Sequence, residues 1–321
     1  MKKPHDKFFK ESLSRTDMVT DFLENYLPDR LSGIIDIGNI RIQKDSFVDK
    51  KMNEFFSDVV YKVKCKGKNA YLCFLFEHKS YPDSDVSIQL LKYMVSLWEL
   101  KIKQNEKKFL IIPLLIYHGK AKWNIGLKLI DCIEEFPDEL NLFLPDFEYL
   151  LYDLSSYSKE EIKGYGIVRV LFEVLKSTYS DDFKYRLITA IEVLERLEKE
   201  NKGIDYFEVV IRYVLDVKED MNVVDIIDIV SQISSVKGGK VMTIADKLKQ
   251  EGREEGREEG RKEGRKEELI KVILKVLVTK YGISPVKYKE KLKEKDLVEL
   301  EIIFEKVLSM ENISELDKYM K

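Results

Sequence analysis

Cysteine is scarce in this chain of 321 residues: three copies, at 65, 73 and 132. They form no CxxC pair and their number is odd, so neither a zinc site nor a disulfide framework is expected. Reduced thiols in a cytosolic setting are the simple expectation. Histidine is equally rare, and His5, His78 and His118 are too far apart in sequence to suggest a metal–histidine cluster. No apolar run approaches the ~18 residues that a membrane span needs. The longest, 109–117, contains Pro113 and reads as a buried strand. The opening Met-Lys-Lys-Pro-His-Asp-Lys is polar and lacks the apolar stretch of a signal peptide, so a cytoplasmic protein with no membrane partner is expected. An excess of positive charge is missing too. The formal net charge is −3 and the pI about 5.9, so no global field would hold the protein on nucleic acid. Contacts with DNA would come from local basic patches, and binding would be modest and salt-sensitive. That argues against a tight DNA-coating protein but not against an enzyme that releases its product.

What is present is enough apolar sequence, 44%, to bury a core. Phe8, Phe9 and Leu13, then Met18, Phe22, Leu23 and Tyr26, recur at helical spacing up to Pro28, with a capping-box-like Ser14-Arg-Thr-Asp17 between them. Residues 29–53 are mixed and connect to a sheet. A hairpin follows: 55–64 is rich in aromatic and β-branched residues, Lys66-Gly67-Lys68-Asn69 is turn chemistry, and 70–76 is almost wholly apolar. A strand apolar on both faces is normally central. Tyr81-Pro-Asp-Ser84 can cap a helix over 85–103, with Ile88, Leu91, Val95, Trp98 and Ile102 on one face. Residues 108–117 and 149–154 read as further strands. The pattern predicts a mixed α/β domain over 1–155. A helical region follows over 156–240, opened by the capping-box-like Ser158-x-x-Glu161.

The chemistry collects on the hairpin. Glu77 ends the most hydrophobic strand, where an ionised group is rarely left without a partner. Strand alternation puts Glu77 and Lys79 on one face. Folding the hairpin with Lys66 opposite Asn69 brings Asp58 opposite Glu77. Two carboxylates and an ammonium then converge. Such carboxylates can hold Mg²⁺ through oxygen, the backbone carbonyl of His78 can be a further ligand, and Lys79 can orient a water or stabilise developing charge. The same trio could instead be a salt-bridge cluster on an exposed sheet face. Gln89 and Tyr93 lie one turn apart on the next helix and could support the site or reach the DNA backbone, or be plain helix surface.

The segments His5-Asp-Lys-Phe-Phe-Lys10, Asp21-Phe-Leu-Glu-Asn-Tyr-Leu-Pro28, Ser57-Asp58, Phe76-Glu-His-Lys-Ser80, Leu91-Lys-Tyr-Met94 and Pro113-Leu-Leu-Ile-Tyr-His-Gly119 together resemble the recombination-promoting nuclease family, also labelled putative transposases. That family belongs to the PD-(D/E)xK nuclease superfamily. The resemblance spans about the first 155 residues. It implies a restriction-endonuclease-like α/β fold, a mixed sheet flanked by helices, with an all-helical C-terminal region after it. It also implies a Mg²⁺-dependent DNA endonuclease of low sequence specificity, with Asp58 and Glu77 as metal ligands and Lys79 in the lysine position. The function would be recombination or attack on foreign DNA. A non-catalytic DNA-binding or assembly protein on the same fold is the competing reading. The chain departs from the family in carrying Lys79 where glutamine is common, and in Gln89-x-x-x-Tyr93, where an arginine is common near Gln89.

Residues 251–267 repeat Glu-Gly-Arg-Glu/Lys, with glycines at 252, 256, 260 and 264. On a helix these make a slowly spiralling smooth stripe that admits a close neighbour; otherwise the tract is a solvated linker. Leu269, Ile273 and Leu277 follow and need burial, so residues 241–321 are expected to be an oligomerisation module giving a homo-oligomer. The peptide Lys237-Gly-Gly-Lys-Val-Met242 can be encoded with a ribosome-binding sequence before an ATG, so a short C-terminal product starting at Met242 is conceivable. A Gly-Gly hinge is the plainer alternative.

Overall fold

A computed structural model describes residues 4–42, 59–77, 82–106, 108–158, 161–162, 166–178, 182–200, 206–218, 220–310, 316 and 319. The chain divides into two compact units, Met1–Ala245 and Asp246–Lys321. The first is an α/β unit built on a five-stranded mixed sheet with strand order β1-β2-β3-β4-β5. The strands are β1 (Ile35–Ile42), β2 (Val59–Cys65), β3 (Lys68–Glu77), β4 (Leu110–Tyr117) and β5 (Leu150–Asp153). The β1–β2–β3 pairs are antiparallel, and β4 and β5 continue parallel to β3. The near-continuous apolar runs of β3 and β4 follow from this order, since both strands are covered on each face.

The sequence pattern does not announce β1. Its alternation, apolar at 35 and 37 and then at 40 and 42, changes phase at Gly38-Asn39. The register with β2 is irregular at that place, between Asp36 and Arg41. The hairpin of β2 and β3 closes on a tighter turn than its polar stretch suggests. Lys66 and Gly67 both take positive φ, 46° and 79°, so two residues make the turn and Cys65 pairs with Lys68. The register is therefore two residues away from the one that pairs Lys66 with Asn69. An even shift preserves which residues share a face but changes which stand opposite each other. Described pairing ends at Val59 opposite Phe74.

Helices cover both faces of the sheet. On one side lie α1 (Pro4–Leu13) and α2 (Thr16–Tyr26), and the Tyr61 hydroxyl of β2 donates to the Leu13 carbonyl at 2.8 Å. The expected Ser14 cap is not made: Ser14 Oγ donates back to Lys10 O, and Asp17 accepts from Arg15 instead. On the other side α3 (Val86–Lys103) packs Tyr93, Met94 and Leu97 against Val60, Tyr71 and Ile111. This is not the stripe the spacing favours, for Val95 and Ile102 are exposed. The helix is apolar around most of its girth, and the buried stripe also carries Ser87 and Lys101. The Lys101 ammonium stays satisfied through Gln104 and Glu106 at 3.0 and 2.9 Å.

Helices α4 (Ile167–Ser177), α5 (Phe183–Lys199), α6 (Phe207–Val217) and α7 (Val223–Ser231) complete the unit. Between α4 and α5 a buried Glu173 accepts from Arg186 at 2.6 Å, Arg186 also holds Asp182 at 2.9 Å, and Arg169 approaches Glu173 at 3.7 Å. Burial raises the Glu173 carboxyl pKa above its usual value despite the arginines, which pull the other way.

Helix α8 runs from Ser235 to Tyr281. Gly238 and Gly239 lie inside it, so they form no hinge. Gly238 faces the Ser231 hydroxyl, 2.0 Å from where a Cβ would sit. Lys237 is buried and ion-pairs with Glu195 and Glu198 at 2.9 and 3.0 Å. In the second unit the last turns of α8 join α9 (Val286–Glu294) and α10 (Leu297–Ser309). Ile273 and Leu277 are fully buried there among Tyr288, Leu292, Leu300 and Ile303 of the same chain. The burial these residues require is thus intramolecular. The tract glycines 252, 256, 260 and 264 have nothing within 4 Å of a notional Cβ.

Candidate active site at the carboxyl ends of the parallel strands

Strands β3, β4 and β5 run parallel and end together. Glu77 is in register with Tyr117, and Tyr117 with Asp153. In parallel sheets ligands collect outside the carboxyl ends of the strands. Glu77 therefore closes the central strand at the edge where chemistry is expected. Asp58, His78 and Lys79 lie outside the described residues, and of Glu77 the backbone alone is described. Among the described residues no group of three or more His, Cys, Asp and Glu could hold a metal ion.

Around this edge the fold builds a firm frame. Asp153 accepts from Trp123 N at 3.1 Å and from Ser155 N and Oγ at 2.9 and 2.6 Å. Its carboxylate thus ties the segment after β4 to the end of β5. Trp123 packs edge-on against Tyr117, ring centroids 4.9 Å apart. Asp153 carries no distinguishing signal in the sequence; it stands out once the parallel order aligns it with Glu77. His118, next after Tyr117, is buried, and its Nε2 bonds to the Leu175 carbonyl of α4, so that nitrogen carries the proton. Its ring lies 5.6 Å from that of His5, whose Nδ1 bonds to Tyr213 at 2.7 Å. Two sequence-distant motifs, one opening with His5 and the other ending in Tyr117-His-Gly119, meet here as packing.

The two helical candidates have local roles. Gln89 Nε2 donates to Asp83 Oδ2 at 3.1 Å, bracing the loop before α3. Tyr93 is buried on the face of α3 that packs on the sheet, not on one open to DNA. The Asp21 motif also has a structural duty: Asp21 Oδ2 accepts from Val168 N at 2.7 Å, capping the start of α4.

Residues 3–205 match the family model described as putative transposase, YhgA-like. The chain belongs to this family. The relatives include the recombination-promoting nuclease RpnA of Escherichia coli strain K12, 26% identical over 78% of this chain and 84% of its own. Recombination-promoting nuclease RpnD of Escherichia coli O157:H7 is 26% identical over 77% and 95%. A third, from strain K12, is named an inactive recombination-promoting nuclease-like protein, RpnE, and is 25% identical over 78% and 82%. No solved structure matches. Family members thus include proteins named as nucleases and at least one named as inactive. The match covers the whole sheet as well as α4 and α5.

Proposed function

We propose that this chain is a metal-dependent DNA endonuclease of low sequence preference, acting in the cytoplasm in recombination or against foreign DNA. The observation that carries the reading is the position of Glu77, at the carboxyl end of the central strand of a parallel set, within a chain whose relatives are named nucleases.

The donors suit a hard divalent cation. Asp58 and Glu77 offer carboxylate oxygens and His78 a backbone carbonyl, the ligand type Mg²⁺ takes while keeping waters for the substrate side. Bound there, Mg²⁺ would supply charge neutralisation at the scissile phosphate and an acidified water. Lys79 cannot ligate while protonated. Its part is to hold the attacking water or to stabilise charge on the phosphate oxygens. Asp153 is committed to Trp123 and Ser155 and serves the frame. Gln89 and Tyr93 would then support the site through the loop and the sheet face they brace.

The test is plasmid cleavage by the purified full chain with and without Mg²⁺, beside Glu77→Ala. The second reading, a DNA-binding protein that does not cut, is favoured by the inactive name of one relative. It predicts retention of DNA in a gel shift without nicking.

The proposal extends to self-association through residues 241–321 and to a short product starting at Met242. The apolar cluster of the second unit lies within residues 270–316, so such a product would carry all of it. The packing of Lys237 and Gly238 gives the Lys-Gly-Gly peptide a reason at the protein level as well.

A further inference from the structure

The motif from Asp21 to Pro28 takes no part in the catalytic reading, yet it walls a cleft of about 500 Å³ at the C-terminal end of α2. Three carboxylates line this cleft, those of Glu24, Asp29 and Glu161. Among the described residues no lysine, arginine or histidine lines it. The last turn of α2 carries no basic residue, so the negative end of the helix adds to the same field. Gathering like charges in one concavity is unfavourable unless a cation enters it.

The rest of the wall selects the kind of cation. Tyr26 and Tyr157 lie 6.2 Å apart with their rings 8° from parallel. Tyr26 is braced edge-on by Phe172 at 5.0 Å and stacks on Phe22 at 5.6 Å, so its ring is fixed. Burial, with Asp153 and Glu161 nearby, pushes the Tyr157 hydroxyl up to about 12, so it stays neutral at physiological pH. Glu161 is oriented by reciprocal bonds with Ser158, which occupy one carboxylate oxygen. A small hydrated metal ion gains little from aromatic faces. A planar, weakly hydrated cation stacks on them and presents forked N–H donors to carboxylates.

We infer that this cleft binds a guanidinium group, stacked against the tyrosine wall and paired with the carboxylates of Glu24, Asp29 and Glu161. The group could come from a small molecule or from an arginine side chain. The chain itself displays exposed arginines at 253, 257 and 261.

The test is calorimetric titration of the full chain with agmatine and, separately, with a peptide copying residues 250–266; putrescine is the control without a planar head. Agmatine or the peptide should bind saturably, more weakly as salt rises. The double variant Glu24→Gln/Asp29→Asn should bind about tenfold more weakly or worse. Both positions are exposed, so this variant should keep the wild-type melting curve, and Tyr157→Leu gives an independent loss from the aromatic side. Agmatine alone binding identifies a small-molecule ligand; the peptide alone binding identifies an arginine-bearing chain. Either result supports the site. No saturable binding of either, equal binding of putrescine, or binding unchanged in the double variant overturns it. The readout is binding without DNA, so its failure is separable from failure of the nuclease reading.

Discussion

Asp21 and Gly166 are 145 positions apart and occupy one another's space. The Asp21 carboxylate that caps α4 through Val168 N lies 2.2 Å from where a Cβ on residue 166 would be. Gly166→Ala should therefore displace the cap and cost about 1–2 kcal/mol, a typical cap loss. Asp21→Ala should cost a similar amount, and the double variant less than the sum, because both remove one interaction. Urea unfolding of the three variants measures this.

Burial raises the Asp21 pKa above the usual carboxylate value, with Val168 and Asn25 opposing. The folded state then binds this proton more tightly than the unfolded chain. The resulting increment is fully present below the unfolded pKa of about 3.9 and is lost as pH rises through the higher folded value. Asp21→Asn removes the titration. The melting temperature of wild type minus that of Asp21→Asn should therefore increase from about pH 6 to about pH 4. A flat difference would place the carboxyl in a solvated setting.

Asp58→Ala and Glu77→Ala should each abolish Mg²⁺-dependent plasmid cleavage while leaving the melting curve unchanged. Lys79→Ala should slow cleavage by about 10²-fold or more with little change in the Mg²⁺ midpoint, as expected for a group that acts on water or phosphate. Lys79→Gln should keep part of the rate. Wild-type cleavage by Glu77→Ala would sink the catalytic reading.

Lys237→Ala leaves Glu195 and Glu198 without their shared ammonium. Both glutamates are partly exposed and water can replace much of the loss, so about 1–2 kcal/mol is expected, less than for a fully buried pair. The Glu195 pKa is lowered chiefly by its bond to Lys237. That contribution is present above the unfolded glutamate pKa of about 4.3 and disappears as pH falls through the lowered folded value. The gap between wild type and Lys237→Ala should accordingly narrow in acid.

Leu277→Ala should destabilise the second unit by about 2–5 kcal/mol, the range for a fully buried leucine. Loss of helical circular dichroism from an expressed 242–321 segment would report it. Light scattering on the same segment tests self-association, and a dimeric mass for wild type is the expected result. A C-terminal tag on the native gene should reveal a short product that disappears when the Met242 codon is made non-initiating.

Much of the architecture was legible because its signals are periodic. The apolar runs of β3 and β4, the α4 positions Ile167, Leu171, Val174 and Leu175, and the α5 positions Leu187, Ala190, Ile191 and Leu194 are buried as their spacing requires. What escaped had competing signals. The phase change at Gly38 hid β1, the breadth of apolar surface on α3 left its buried face open, and two positive φ values at Lys66 and Gly67 moved the hairpin register. The candidate site is a harder case. Glu77 stands out as a charge closing a hydrophobic strand, but Asp153 gains meaning from strand order, which no local pattern encodes. The intramolecular cover over Ile273 and Leu277 likewise depends on how α9 and α10 fold back, so exposure could not be judged from the helix alone.

The Glu173–Arg186 pair acts as a key for assembly of α4 and α5. Two apolar helix faces can slide past each other by a turn, about 5.4 Å, at modest cost, since one leucine packs much as another does. A buried carboxylate permits no such tolerance. In a slipped arrangement Glu173 would lose Arg186 while still excluded from water, a penalty of about 3–5 kcal/mol for an unpaired buried charge. The pair therefore does less to deepen the correct minimum than to raise the neighbouring wrong ones. Replacing both residues with well-packed hydrophobes should leave stability nearly intact while broadening the set of alignments the two helices can adopt.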